Sequence, residues 1–101
     1  MAKYRLSNTA KEYLIRIHHF GISRFGIDQA DKYFDSFFKY FDIIAQRPYA
    51  FEAVNFIKPG YRRCVCGSDS IYYRIKDEVV EIMTIIGRQD IENTFNALPE
   101  E

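Results

Sequence analysis

At 101 residues the chain is long enough for one domain, and its 48% hydrophobic and 17% aromatic content can build a core of that size. Lys and Arg number 14 and Asp and Glu number 14, so no global charge points to nucleic acid or to a membrane surface. No charged-then-apolar leader opens the chain and no apolar run approaches a membrane span, which predicts a soluble, cytoplasmic protein with no membrane partner.

The charge is unevenly spread. Lys3, Arg5, Lys11, Arg16 and Arg24 face Glu12 alone in the first quarter, and Glu92, Glu100 and Glu101 close the chain. Solvated surfaces account for both ends.

Lys3 to Leu6 reads as a short strand, with Tyr4 and Leu6 on one side. Ser7 is an N-cap candidate for a first helix running to about Phe25. Ala10, Leu14, Ile17, Gly21 and Phe25 form its apolar stripe, flanked by Tyr13 and Phe20. Gly21 costs about 1 kcal/mol against Ala there unless close packing requires it. Gly26 is expected as a left-handed C-cap. Asp28 starts a second helix whose stripe is Ala30, Tyr33, Phe34, Phe37, Phe41 and Ile44, and Arg47-Pro48 ends it. So short a connection folds the two helices into an antiparallel hairpin. Residues 48–60 read as an irregular loop anchored by Phe51, Val54, Phe56 and Ile57.

From Gly60 to Asp90 three β-rich runs are separated by two turn signals, the pattern of an antiparallel meander. Gly67-Ser68 has Gly first, as a type II′ hairpin turn needs, and sets Cys66 opposite Asp69, Cys64 opposite Ile71 and Arg62 opposite Tyr73. A second turn at Asp77-Glu78 sets Ile75 opposite Val80, Tyr73 opposite Ile82 and Ile71 opposite Thr84. It lacks the Gly that a tight type I′ turn prefers, so a wider loop is expected. Both registers put Cys64, Cys66, Ile71, Tyr73, Ile75, Val80 and Ile82 on one face. The other carries Arg63, Val65, Ser70, Tyr72, Arg74, Glu81, Met83 and Ile85, with Arg74 placed to pair with Glu81. That second face is too apolar for plain solvent, so something should cover part of it. Asp90 can cap a last helix from Ile91 to Leu98. The layout β-α-α-β-β-β-(α) is a single α+β domain over residues 1–101, a helical hairpin packed on a small, mostly antiparallel sheet.

The chemistry offered is sparse. Cys64 and Cys66 lie two apart on one strand face, poorly placed for a disulfide and too few for zinc, so they read as buried thiols. His18 and His19 point about 100° apart on a helix and cannot share a metal. No Ser-His-Asp or Cys-His set and no pairing of acids emerges, and neither a metal, a cofactor nor a small-molecule substrate is called for. Arg62, Arg63, Arg74 and Arg88 gather on or beside the sheet. They are able to hold a phosphate backbone, and equally to be surface charge. Arg62, on the core side near a strand end, needs a carbonyl or carboxylate to tie to.

Taken together, Gly60-x-Arg62, Gly67, Ile71-x-Tyr73-Arg74, Val80-Glu81-Ile82 and Gly87-Arg88-Gln89-Asp90, in this order after Tyr4-Arg5-Leu6-Ser7 and the two helix patterns, resemble the ParE toxins of the RelE/ParE superfamily. The resemblance covers nearly the whole chain. It implies a toxin of a bacterial type II toxin–antitoxin module that poisons DNA gyrase by stabilising its cleaved complex with DNA. It also implies neutralisation by a ParD-like antitoxin. The protein would be an inhibitor and not an enzyme, with no catalytic residues. The alternative within the superfamily is a RelE-like ribosome-dependent messenger RNA endonuclease. Cleavage through a 2′-hydroxyl needs a base, an acid and cations. Arg62 and Arg74 are available as cations, but no Tyr or His follows Tyr73 to move protons. Where many relatives carry His, this chain has Ile86 and Asp69. On this reading Arg88, Gln89, Ile86, Arg62 and Arg74 are expected to meet the target. Tyr72, Met83, Ile85 and Val65 are expected to meet the antitoxin.

Overall fold

The computed structural model describes residues 3–87. The expected segment Ile91 to Leu98, with Arg88, Gln89 and Asp90, lies outside them. Seven elements follow in order: β1 Tyr4–Leu6, α1 Asn8–Phe25, α2 Ile27–Gln46, β2 Glu52–Ala53, β3 Arg62–Cys66, β4 Asp69–Lys76 and β5 Val79–Gly87. The sheet has five strands in the order β1-β5-β4-β3-β2. β1 runs parallel to β5, and the other pairings are antiparallel. The α+β architecture is therefore a helical hairpin on one face of a mostly antiparallel sheet.

Ser7 caps α1 as expected, its Oγ accepting from the Ala10 amide at 3.0 Å and donating to the Met83 carbonyl at 2.7 Å. The second bond ties the helix start to β5. Gly26 ends α1 with positive φ (87°), but its ψ of 165° is extended, not left-handed helical. One glycine thus closes α1 and caps α2 directly, two residues ahead of Asp28, the expected start, which falls in the first turn. Gly21 is explained by packing. A Cβ there would sit 3.2 Å from the Ala30 Cβ, so the two helices meet across small residues.

Phe37, Phe41 and Ile44 from α2, Ala10 and Leu14 from α1, and Cys64, Cys66, Ile71, Tyr73, Val80, Ile82 and Ile85 from the sheet form the main core. Each large side chain buried there contributes about 1.5–3 kcal/mol. Both cysteines are free and buried. Burial pushes the Cys64 thiol up to about 11, with the neighbouring Cys66 adding to the shift.

The β3–β4 register is as expected throughout, with Gly67 at φ 62°. Three features of the meander differ from expectation. The Asp77-Glu78 turn is tight, since Lys76 pairs with Val79 and both turn residues take positive φ (53° and 65°). The strands on either side close the hairpin firmly enough to impose a glycine-favouring conformation on two acidic residues. Second, Glu52–Ala53 is a short strand, paired with Arg63 and Arg62. Third, the β4–β5 register shifts between Tyr72 and Tyr73. Tyr73 pairs with Ile82 but Tyr72 pairs with Thr84, which leaves Met83 as an extra residue, and Ile71 pairs with Ile85 instead of Thr84. This bulge turns Ile85 onto the helix side, where it joins the main core, and corrects its expected place on the outer face.

The outer face has its own cover. Val54 and Tyr61, with Ile57 beside them, pack on Tyr72, Met83 and Ile86. The segment is closed by Val54 N–H to the Tyr61 carbonyl (2.8 Å) and Gly60 N–H to Asn55 Oδ1 (2.8 Å). Phe56 is not an anchor of this segment: it stands 78% exposed.

A groove between the helical hairpin and the sheet end

Burial along α1 fades from its start. Ala10 and Leu14 are sealed against the sheet, Ile17 is half-buried, and Phe20 and Phe25 are 59% and 68% exposed. The apolar stripe outruns the sheet it packs on. A groove of about 910 Å³ opens there. Its α1 wall is Tyr13, Arg16, Ile17, Phe20 and Phe25, its base is Gly21, Ala30 and Tyr33, and its far wall is Ser68, Asp69, Ile85, Ile86 and Gly87. The close approach of Gly21 and Ala30 leaves no large side chain to fill it.

The far wall is held rigidly. The Tyr33 hydroxyl lies 2.7 Å from Asp69 Oδ2 and 3.0 Å from the Cys66 carbonyl, its proton shared between them. Burial, then the bond to Asp69, raise the Tyr33 pKa well above its ordinary value. The phenol therefore stays a donor and fixes the carboxylate. Two guanidinium groups lie over rings of this α1 wall: Arg16, itself a lining residue, over Tyr13 (5.5 Å to the centroid), and Arg24, outside the lining, over Phe20 (5.4 Å).

The sheet arginines are engaged elsewhere. Arg62 donates to the Phe51 carbonyl at 2.6 Å and lies over the Tyr49 ring at 5.1 Å, the carbonyl tie its position called for. Arg63 pairs with Glu52 at 2.7 Å. Arg74 pairs with Glu81 at 2.7 Å, as the register required, and Arg5 joins the same carboxylate at 2.9 Å. Burial works to raise the Glu81 pKa, but the bond from Arg74 and the charges of Arg74 and Arg5 outweigh it and hold the carboxyl below its ordinary value. His18 pairs with Asp31 at 2.7 Å and packs on Phe34, apart from any metal-like cluster. Among the described residues no group of three or more His, Cys, Asp or Glu can hold a metal ion, and no helix is long and apolar enough to cross a membrane.

The sequence-derived contact residues are thus dispersed. Arg88 and Gln89 lie outside the described residues. Ile86, Tyr72 and Met83 are buried in the outer cluster, though Ile86 also reaches the groove wall. Ile85 lines the groove from the other face, and Val65 is 51% exposed on β3. Arg62 and Arg74 are half-buried in structural bonds. The groove itself was not read from the sequence. Its one signal was an α1 stripe running on to Phe20 and Phe25, further than a small sheet can cover.

Comparison with known proteins agrees with this scaffold. A solved structure described as the chromosomal ParDE toxin–antitoxin system from P. aeruginosa superposes with a TM-score of 0.77 over 86% of this chain and 96% of that one, at 18% identity, and shares the fold. "Toxin ParE1" of Mycobacterium tuberculosis is 30% identical over 96 residues, covering 93% of this chain and 98% of the relative. "Toxin ParE1" of Caulobacter vibrioides is 32% identical over 85 residues, covering 82% and 88%. The family model for the ParE toxin of the type II toxin–antitoxin system parDE matches residues 4–92, and the chain belongs to that family.

Proposed function

We propose that this ParE-type toxin inhibits DNA gyrase by stabilising the cleaved gyrase–DNA complex, and that a ParD-like antitoxin neutralises it by docking in the groove between the hairpin and the end of the sheet. The observation that carries the reading is the family match over residues 4–92. The groove supports its second half: a rigid, mostly apolar trough flanked by exposed Phe20 and Phe25 suits a partner helix, whose apolar face would bury them. The state of Arg62 and Arg74 supports inhibition over RNA cleavage. Both are spent on a carbonyl and a carboxylate instead of converging on an open phosphate site. Arg88 and Gln89, just beyond β5, are assigned to the target-facing end.

The test uses purified gyrase. The toxin is added to supercoiling reactions, cleaved DNA is trapped, and messages are mapped in parallel by primer extension. Trapped cleaved DNA with intact messages supports the proposal, and codon-phased message cuts overturn it in favour of a ribonuclease. Arg88→Ala is expected to abolish toxicity without unfolding the protein; retained toxicity would remove Arg88 from the target-facing end.

A further inference from the structure

We infer that the groove selects an acidic flank on the antitoxin helix, through Arg16 on its α1 wall and Arg24 at its rim, over the lining residue Phe20. This rests on the antitoxin reading above and names the chemistry of the partner. Among the described residues neither guanidinium has a carboxylate, whereas Arg5, Arg63 and Arg74 each do. Each is instead laid on an aromatic ring of its own helix. Stacking covers the face of a guanidinium and leaves its in-plane N–H donors directed outward, where they fit a carboxylate edge-on. Contact with the ring also lowers the rotamer entropy lost when an exposed ion pair forms.

Eight residues along α1 separate the two groups by about 12 Å. A helix lying alongside matches that spacing with two acidic residues seven or eight apart, next to the apolar stripe that covers Ile17 and Phe20. The opposite wall enforces the orientation. Asp69, pinned by Tyr33, presents a fixed negative charge that repels the same acidic flank if the helix enters turned over. One wall attracts what the other rejects.

The test uses full-length protein and the antitoxin encoded beside it in its operon, titrated by fluorescence anisotropy. Arg16→Glu and Arg24→Glu are each expected to weaken binding by about three- to tenfold, the double variant by the product, and raised salt to shrink the effect. Lys39→Glu, an exposed charge change on α2 outside the groove, should stay within about twofold. Arg16→Gln and Arg24→Gln, which remove the charge and keep a shorter polar side chain, lower affinity in the same direction and serve as the readout where a reversal fails to fold. Changing the matching pair of antitoxin acids to Lys should restore affinity for the double variant. Unchanged affinity of the double variant, with wild type binding normally, overturns the inference and leaves the antitoxin reading standing. A wild-type chain that does not bind its operon partner overturns the antitoxin reading itself.

Discussion

Gly67→Ala is expected to destabilise the fold by about 3 kcal/mol, within roughly 2–5. Two effects add. The residue holds φ 62° at the first position of a two-residue turn, where an L side chain costs about 1–3 kcal/mol. A Cβ would also come within 2.9 Å of both the ring and the hydroxyl of Tyr33. That ring cannot simply swing aside, because its hydroxyl is held by Asp69 and the Cys66 carbonyl and its edge packs on Phe37 at 5.0 Å. Displacing it loses about 1–2 kcal/mol of hydrogen bonding and packing. Gly60 is the control. It has φ 83° but open space around its missing Cβ, so Gly60→Ala bears strain without a clash. Urea unfolding followed by far-UV circular dichroism measures both, and each kcal/mol lost lowers Tm by about 4–8 °C in a domain of this size. Adding Tyr33→Leu should bring the increment for Gly67→Ala down to that for Gly60→Ala. Equal losses for the two glycines in the wild-type background would refute the steric half of the reasoning.

Other outcomes follow from the same packing. Met83→Glu places a charge in a nearly sealed cluster, so it should lower global stability by several kcal/mol and show as lost cooperativity in denaturant, not as a selective loss of antitoxin binding. Thr84 Oγ1 is buried without a hydrogen-bond partner among the described residues, so Thr84→Val should raise the urea midpoint by about 1 kcal/mol equivalent. Glu81 has a folded pKa below its unfolded value, so its contribution is present above the unfolded pKa and is lost as pH falls through the folded one. Stability profiles from pH 7 down into the acid range should flatten in Glu81→Gln relative to wild type. Burial keeps the Cys64 thiol protonated with a pKa near 11, so a disulfide reagent at pH 8 should label the native protein far more slowly than the urea-unfolded chain.

Most of the scaffold was legible because local chemistry and tertiary packing agree. Ser7, the α2 stripe from Ala30 to Ile44, and Gly67 each specify one conformation, and each adopts it. The tight Asp77-Glu78 turn went the other way. Two long strands on either side outweigh the local preference of the turn residues, and propensity alone cannot report that balance. Ala53 and Glu52 pair with β3 in a strand too short to show any periodicity.

The bulge at Met83 shapes the groove, and strict alternation could not reveal it. Without it Thr84 would face the helices, and Ile85 would stand outside. A threonine in the main core in place of an isoleucine loses apolar contact, so the extra residue settles in favour of Ile85 a conflict written into Ile82-Met83-Thr84-Ile85-Ile86, while the Thr84 hydroxyl stays buried on the other face. The same slip gives the groove its sheet-side wall, since Ile85 reaches both the core and the trough while Ile86 turns to the outer cluster. A partner seated on Phe20 and Phe25 would therefore touch a surface whose shape depends on one irregular residue in β5. Shortening that strand by one position should disturb the groove before it disturbs the hairpin above it.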